Sequence, residues 1–365
     1  MERREPVYSA PLFGRVGPAV RSLAAVCALW LGLVIVPGQL LQAATCGSVH
    51  VVKAGESLQQ IGSRYYPAES MWTALYYANP DLLAGGFDSL EPGMELEIPC
   101  LSGLEDGGGE DNRLFRSKDE AELNLLTGGN YAPFTSRELP SEGLITEVVK
   151  AAFLEAPAPV TFSVSWEADW SRHLNPLLLD QEYDAGFPWL KPNCEDTPEN
   201  FRCRNFHFSD PLVEMLIQLF VRADSDIEFS QDSDLHGRTL CRPKGYYTHD
   251  LDRPGRRWLS EGRVELVRGD GPADCFERLA AGEVDGVAVN EFLGRRTIHE
   301  LGVEDEVRAL DRPISVQGLH LIVPKTHPRA TTFLYRFNAG VRELREAKRY
   351  ERIVKRHMAA HWGRL

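Results

Sequence analysis

The chain has no surplus of basic residues. Its 40 Lys and Arg stand against 53 Asp and Glu, for a formal net charge of -13. That balance argues against a general nucleic-acid binder and against polybasic docking on anionic lipid, and leaves room for one local cationic pocket. A zinc-site pattern is missing too: the 7 cysteines form no CxxC pair, and no paired-histidine spacing accompanies them. Long apolar runs are scarce, and the one near the start, Leu23–Val36, covers 14 residues before Pro37-Gly38 breaks it. What is present is ordinary for soluble globular protein, with 43% hydrophobic and 25% charged residues. A length of 365 residues allows two or three domains.

Arg3, Arg4, Arg15 and Arg21 precede the apolar run, and small residues follow at Ala43-Ala44. Positive start, short apolar middle and small-residue end describe a secretory signal, so residues 1–45 are expected to direct export and be removed. The competing reading is an uncleaved anchor, since Leu23–Ala44 could just span a bilayer. A lipoprotein is disfavoured because Thr45, not a small Gly, Ala or Ser, precedes Cys46. Loss of Cys27 with the signal leaves Cys46, Cys100, Cys194, Cys203, Cys241 and Cys275. An even set in an exported chain suggests disulfides, and neighbourhood favours 46–100, 194–203 and 241–275.

Residues 46–100 read as one small unit. Val51-Val52-Lys53 is strand-like, and Ser57 can cap a helix whose apolar face includes Leu58 and Ile61. Trp72, Leu75 and Tyr76 mark a second helix that ends at Asn79-Pro80-Asp81, and Pro92-Gly93 turns the chain into a last strand, Glu95–Ile98. The pattern is βααβ, closed by pairing its terminal strands. With VVKAGESLQQIG, WTALYYANPD and LEPGMELEIP in place, it resembles a LysM domain. Antiparallel pairing of the end strands would bring Cys46 near Cys100, and a bridge there would stabilise a domain with little core. The resemblance implies binding of an N-acetylglucosamine-containing glycan, peptidoglycan in bacteria, in a groove between two turns. Carried over, Gly55, Glu56 and Ser57 would face Asn79, Asp81 and Leu82. The plainer reading of each is turn chemistry.

Residues 101–114 contain GLEDGGGEDN, an acidic Gly-rich run that cannot bury apolar surface and reads as a flexible tether. Beyond it, 115–365 alternates helix and strand patterns, which implies an α/β fold with mainly parallel sheets. Strands are expected at Leu123–Leu126, Val160–Val164, Tyr183–Trp189 and Ile217–Arg222, and a helix start at Thr248–Leu251. The segments GGNYAPFTS, FRCRNFHFSDPL, DLHGRTLCRPKGYYTHDL, CFERLAAGEVDGVAVNE and RFNAGVRELREAKRYERIVKRHM, in that order, resemble family 3 extracellular solute-binding proteins. These are the polar amino-acid-binding kind that serve ABC importers. The fold class expected is therefore multi-domain: a small βααβ LysM domain plus a bilobed α/β periplasmic-binding-protein (type II) domain with two crossing hinge segments. Lobe one would hold 115–219 and 320–365, and lobe two 220–319.

In that family an arginine six residues before the Phe of the FSDP motif clamps the ligand carboxylate; here it is Arg202. A guanidinium fork matches a carboxylate in both charge and direction. The resemblance further implies a cleft lined by Asn130, Tyr131, Phe134, Trp166, Trp189 and Lys191 from lobe one, with Tyr131 and Trp189 favoured because each adjoins a Pro-containing break. From lobe two come Tyr246, Tyr247 and Thr248, where the family has a Gly-Thr-Thr loop, and Asn290 with Glu291, where it places an aspartate for the ligand ammonium. An asparagine lacks that counter-charge, so a carboxylate with an apolar or ring portion suits the cleft as well as an amino acid does. For each aromatic the plainer reading is core packing, and for Arg202 a solvated or Glu199-paired side chain.

The expectation is an exported envelope protein, not an enzyme and without cofactor or metal. It would capture a small carboxylate-bearing solute, be tethered to a peptidoglycan glycan strand, and serve an ABC permease or a sensor. Two other classes compete. One is a peptidoglycan-associated scaffold. The other is an envelope enzyme, either a dehydratase using Glu291 and His249 as its acid–base pair or a murein-acting protein, for which the chain after the closing helix leaves no room.

Overall fold

The computed structural model describes residues 47–66, 72–83, 85–100 and 113–363. The expected signal 1–45, the Cys46 half of the first expected disulfide and residues 101–112 of the expected tether lie outside them. No helix among the described residues is long and apolar enough to cross a membrane.

The small unit runs β1 (Val49–Val51), α1 (Leu58–Tyr65), α2 (Thr73–Ala78) and β2 (Glu95–Glu97). Its end strands pair antiparallel, Val49 opposite Glu97 and Val51 opposite Glu95. Ser57 and Gln60 form a reciprocal capping box that starts α1, which then buries Leu58 and Ile61. Gly62 is required by close packing: a Cβ there would lie 2.7 Å from the Trp72 backbone. All six residues of α2 are buried, more than one core-facing stripe would need. A helix this short, hidden on every side, has neighbours beyond its own small unit.

Those neighbours belong to the larger domain. Its first half holds β3 (Leu123–Thr127), α3 (Leu144–Glu155), β4 (Phe162–Trp166), α4 (Trp170–Arg172), β5 (Ala185–Leu190), α5 (Phe201–Asn205) and β6 (Phe206–Phe208). The long β7 (Val213–Arg222) leads out to β8 (Thr239–Pro243), β9 (Glu265–Gly269), α6 (Pro272–Ala280), β10 (Gly286–Asn290), α7 (Glu291–Leu301) and β11 (Val307–Ala309). An equally long β12 (Ser315–Pro324) leads back to α8 (Ala330–Glu346) and α9 (Arg349–Trp362).

Parallel ladders build the body of each lobe: β3 with β4 and β5 on one side, β8 with β9 and β10 on the other. The expectation of mainly parallel sheets is corrected at the crossing strands. There β12 runs antiparallel to β5, β6 and β7, and β7 antiparallel to β10 and β11. The cause is topological, because two strands that carry the chain out and back must oppose each other. Ser315–Leu319 of β12 pairs with Val213–Ile217 of β7, which makes the double crossing of a bilobed α/β fold.

Cys194–Cys203 and Cys241–Cys275 are bridged, with Cα atoms 5.4 and 5.5 Å apart. The helix expected to start at Thr248 is absent, and turns occupy the stretch instead. Arg242 accounts for this: its Nη1 donates to the Tyr247 carbonyl, and its fork grips both oxygens of Asp250 at 2.6 and 3.0 Å. Carbonyl and carboxylate are both pulled back toward β8, so no helical ladder forms.

Candidate functional site

Arg202 stands on α5, whose first turn is capped by Asn200: its Oδ1 accepts the Arg202 N–H at 2.9 Å. The next residue, Cys203, is bridged to Cys194, so the short helix is held at its start and its middle. Arg202 Nη1 donates to the Leu190 carbonyl at 3.1 Å. The guanidinium carbon lies 4.9 Å from the Trp189 ring centre and 5.1 Å from that of Tyr247. Trp189 comes from the end of β5 and Tyr247 from the turn after β8, so the cation sits between aromatic rings of opposite lobes.

No carboxylate forms an ion pair with Arg202 among the described residues, and its electrostatic neighbours are the phenols of Tyr247 and Tyr131. Burial depresses its pKa, the response of a cation that has lost water without gaining an anion. Aromatic rings meet a guanidinium through its faces, whereas carboxylates meet it edge-on through paired N–H groups. With two rings against the cation, the bond to Leu190 is the one hydrogen bond of its guanidinium among the described residues.

Further rings surround this pair. Tyr131 packs on Trp170 at 6.1 Å, and Trp170 on Trp189 at 5.7 Å, while Tyr131 also feels Tyr246 across the lobes. Burial raises the Tyr131 and Tyr246 phenols, which therefore stay neutral near pH 7. His249 lies 4.6 Å from the Tyr247 ring, and burial lowers its pKa, so its imidazole is neutral as well. Asn200 also donates through Nδ2 to the Tyr247 hydroxyl, a second link between lobes.

The structure thus brings together Tyr131, Trp189, Arg202, Tyr246 and Tyr247. Thr248 is half-buried beside them, its carbonyl accepting the Leu251 N–H, and Lys191 is exposed next to the Leu190 carbonyl. Other expected residues are elsewhere. Phe134 is fully buried against Tyr131 and Phe292, a core position. Trp166 carries Arg137 over its ring at 5.4 Å instead of joining the Arg202 group. Asn130 is exposed, with φ +59°, and serves the turn backbone. Asn290 spends its side-chain oxygen on capping α7 through the Leu293 N–H at 3.0 Å.

Glu291 is the largest correction. Its carboxyl is fully buried and accepts the Tyr77 hydroxyl at 2.5 Å, so it turns toward the small unit. Burial raises its pKa, opposed by the charge of Arg295 and the Tyr77 hydrogen bond. An acid held that way cannot work as one half of a pair with His249. Sequence reasoning also missed Asn200 and Trp170; a capping Asn just ahead of Phe201 was the available signal for the first.

In the small unit, Gly55 is exposed with φ +80°, where only glycine is unstrained. Glu56 is tied to the Lys53 N–H, His50 and Arg64, which hold its pKa down to about 2 despite some burial, the His50 hydrogen bond contributing most. Ser57 is the α1 cap. Asn79 is internal: its amide bridges the Leu75 carbonyl and both backbone groups of Glu97 at 2.8–3.0 Å. Asp81 pairs with Lys348 and Arg345, and Leu82 is exposed. A cavity of about 370 Å3 joins Asn79, Asp81 and Leu82 to Glu351, Arg352 and Lys355 of α9, so this turn faces the larger domain.

Neither a protein-family model nor a curated protein sequence matches this chain. Among solved structures, a histidine kinase sensor domain with similarity to periplasmic binding proteins is 22% identical, with a TM-score of 0.49 over 65% of this chain and 96% of that one. The substrate-binding protein of an amino acid ABC transporter is 18% identical, with a TM-score of 0.46 over 64% of this chain and 97% of its own. An arginine transport-system periplasmic binding protein from Legionella pneumophila is likewise similar, at 18% identity and a TM-score of 0.46, over 63% of this chain and 96% of that protein.

Proposed function

We propose that the chain is an exported cell-envelope protein that captures a small carboxylate-bearing solute between its two lobes. The Arg202 edge would take the carboxylate, Trp189 and Tyr247 would hold the guanidinium flat, and Tyr131 would wall the remainder. The observation that carries this reading is the largely buried guanidinium with no anion beside it. Such a charge is costly inside a protein until a counter-charge arrives. A family 3 solute-binding role, in ABC import or sensing, accounts for the double strand crossing and for ring contacts made across the lobes. The small unit reads as a LysM-type domain on its sequence motifs and βααβ order, and it would tether the protein to peptidoglycan through an exposed turn.

Isothermal titration of the purified chain against amino acids and organic acids tests the capture reading. At least one carboxylate should bind, and Arg202→Ala should weaken it by about 2–3 kcal/mol, roughly a hundredfold, as expected for a charge-assisted hydrogen bond. Heat that is unchanged in the variant would remove the reading. Co-sedimentation with insoluble peptidoglycan tests the tether, and a chain left wholly in the supernatant would remove that half alone.

A further inference from the structure

We propose that the Arg202 site selects a carboxylate whose second polar group is neutral, a hydroxyl or keto oxygen, over a zwitterionic amino acid. The proposal rests on the solute-capture reading and deepens it by naming the ligand class.

An ammonium group desolvated beside Arg202 needs an acid to receive it, and the acids near by are already engaged. Asp250, next to His249, gives both oxygens to Arg242 and one of them also to the Ser315 hydroxyl at 3.0 Å. Glu291 is turned to Tyr77. The Asn290 oxygen caps α7. What adjoins Arg202 is uncharged: the Tyr247 ring centre lies 5.1 Å from it and Tyr131 is within electrostatic reach, while neutral His249 packs on Tyr247. With the ligand carboxylate committed to Arg202, a ligand ammonium would find no counter-charge in the protein, and its desolvation cost would go unrelieved.

The same walls have hydrogen-bonding capacity to spare. His249 Nδ1 and Trp189 Nε1 are both buried without a hydrogen-bond partner. Buried polar atoms of native proteins are nearly always paired, so the unpaired His249 nitrogen beside Tyr247 asks for a ligand group, whereas the Trp189 nitrogen lies against Gly186 of its own strand. The indole N–H can only donate, and a neutral imidazole donates or accepts according to tautomer. A hydroxyl can serve either tautomer of His249 and a keto oxygen accepts from its N–H form, whereas an ammonium can only donate and needs the other tautomer. The missing counter-charge therefore carries the preference, and the open His249 nitrogen offers a place for the second oxygen.

Two matched series decide it, each varying one substituent on a constant skeleton. The first is phenylalanine, 3-phenyllactate, phenylpyruvate and 3-phenylpropanoate; the second is glutamate, 2-hydroxyglutarate, 2-oxoglutarate and glutarate. Titrated into the full chain, the hydroxy or oxo member of at least one series should bind tenfold or more tighter than its amino member. In His249→Ala that member's advantage over the unsubstituted acid should shrink. An amino member that equals or beats its hydroxy and oxo partners overturns the proposal and leaves solute capture standing. No heat from either series, in protein shown folded by circular dichroism, overturns the capture reading and the proposal with it.

Discussion

Tyr77→Phe isolates one hydroxyl at the junction of the small unit and the larger domain. That hydroxyl donates to Glu291 at 2.5 Å and accepts the Leu216 N–H of crossing strand β7 at 3.2 Å. The ring packs 5.2 Å from Phe292 on α7, a contact phenylalanine keeps, so the loss is confined to polar terms. A hydrogen bond to a buried carboxylate contributes about 1.5–3 kcal/mol, and a stranded N–H costs about 1–3 kcal/mol. Since one atom serves both and the terms overlap, about 3 kcal/mol is expected. For a chain of this size that lowers the melting temperature by roughly 4–5 °C. Calorimetry on the full chain measures it, and hydrogen exchange on β7 locates it, because Leu216 should lose protection before the core of β3. Glu291→Gln completes a double-mutant cycle in which the combined loss should fall short of the summed single losses. A melting shift under about 2 °C, or strict additivity, would refute the assignment of this contact as the fastening between the two parts.

Two other outcomes follow from the crossing strands and the α5 helix. His320, on β12 opposite Trp189, gives Nδ1 to a hydrogen bond with the Ser209 carbonyl at 2.8 Å, and burial lowers its pKa to about 4 against that bond's upward pull. The folded value lies below the unfolded 6.5, so the native state gives up its proton first. Stability from this group is full above pH 6.5 and is lost as pH falls toward 4, by up to about 3 kcal/mol. Urea midpoints across that range should flatten in His320→Gln, and parallel curves for the two proteins would contradict the account. The paired change Cys194→Ser with Cys203→Ser opens a link between residues 9 apart. In the chain-entropy model this removes about 2.5 kcal/mol of stability. It should also weaken carboxylate binding, since α5 loses one of its two restraints; unchanged affinity would show that Asn200 alone positions Arg202.

Much of the fold was legible because each piece announces itself locally. Ser57 ahead of Leu58 and Ile61 marks a helix start, and Glu95–Ile98 after Pro92-Gly93 and the apolar run Leu123–Leu126 mark strands whatever surrounds them. The convergence of Tyr131, Trp189, Arg202 and Tyr247 needed more than periodicity, since these residues are far apart in the chain. It could be anticipated only through the order of whole segments. Where local and tertiary demands diverged, the reading failed. Thr248–Leu251 has the composition of a helix start, but Arg242 draws the Tyr247 carbonyl and Asp250 away. Phe134 sits beside a Pro turn like a cleft residue and is nonetheless enclosed by Phe292.

Glu291 shows most plainly why. An acid at the first position of a helix after a buried strand is favourable to the helix dipole in any protein, and nothing in that pattern says which way the carboxyl turns. Its direction is set by Tyr77, more than two hundred residues earlier. Tyr77 in turn reads as ordinary core of a small unit, because the sequence of α2 does not reveal that its outer face is also covered. The covering is done by Phe292 and by α9, whose Lys355 pairs with Glu97 of β2. The small unit is therefore fastened to a crossing strand, to a lobe-two helix and to the closing helix at once. Any rotation that parts the lobes about β7 and β12 must either carry α2 with Glu291 or break the Tyr77 bond and strand a buried carboxyl.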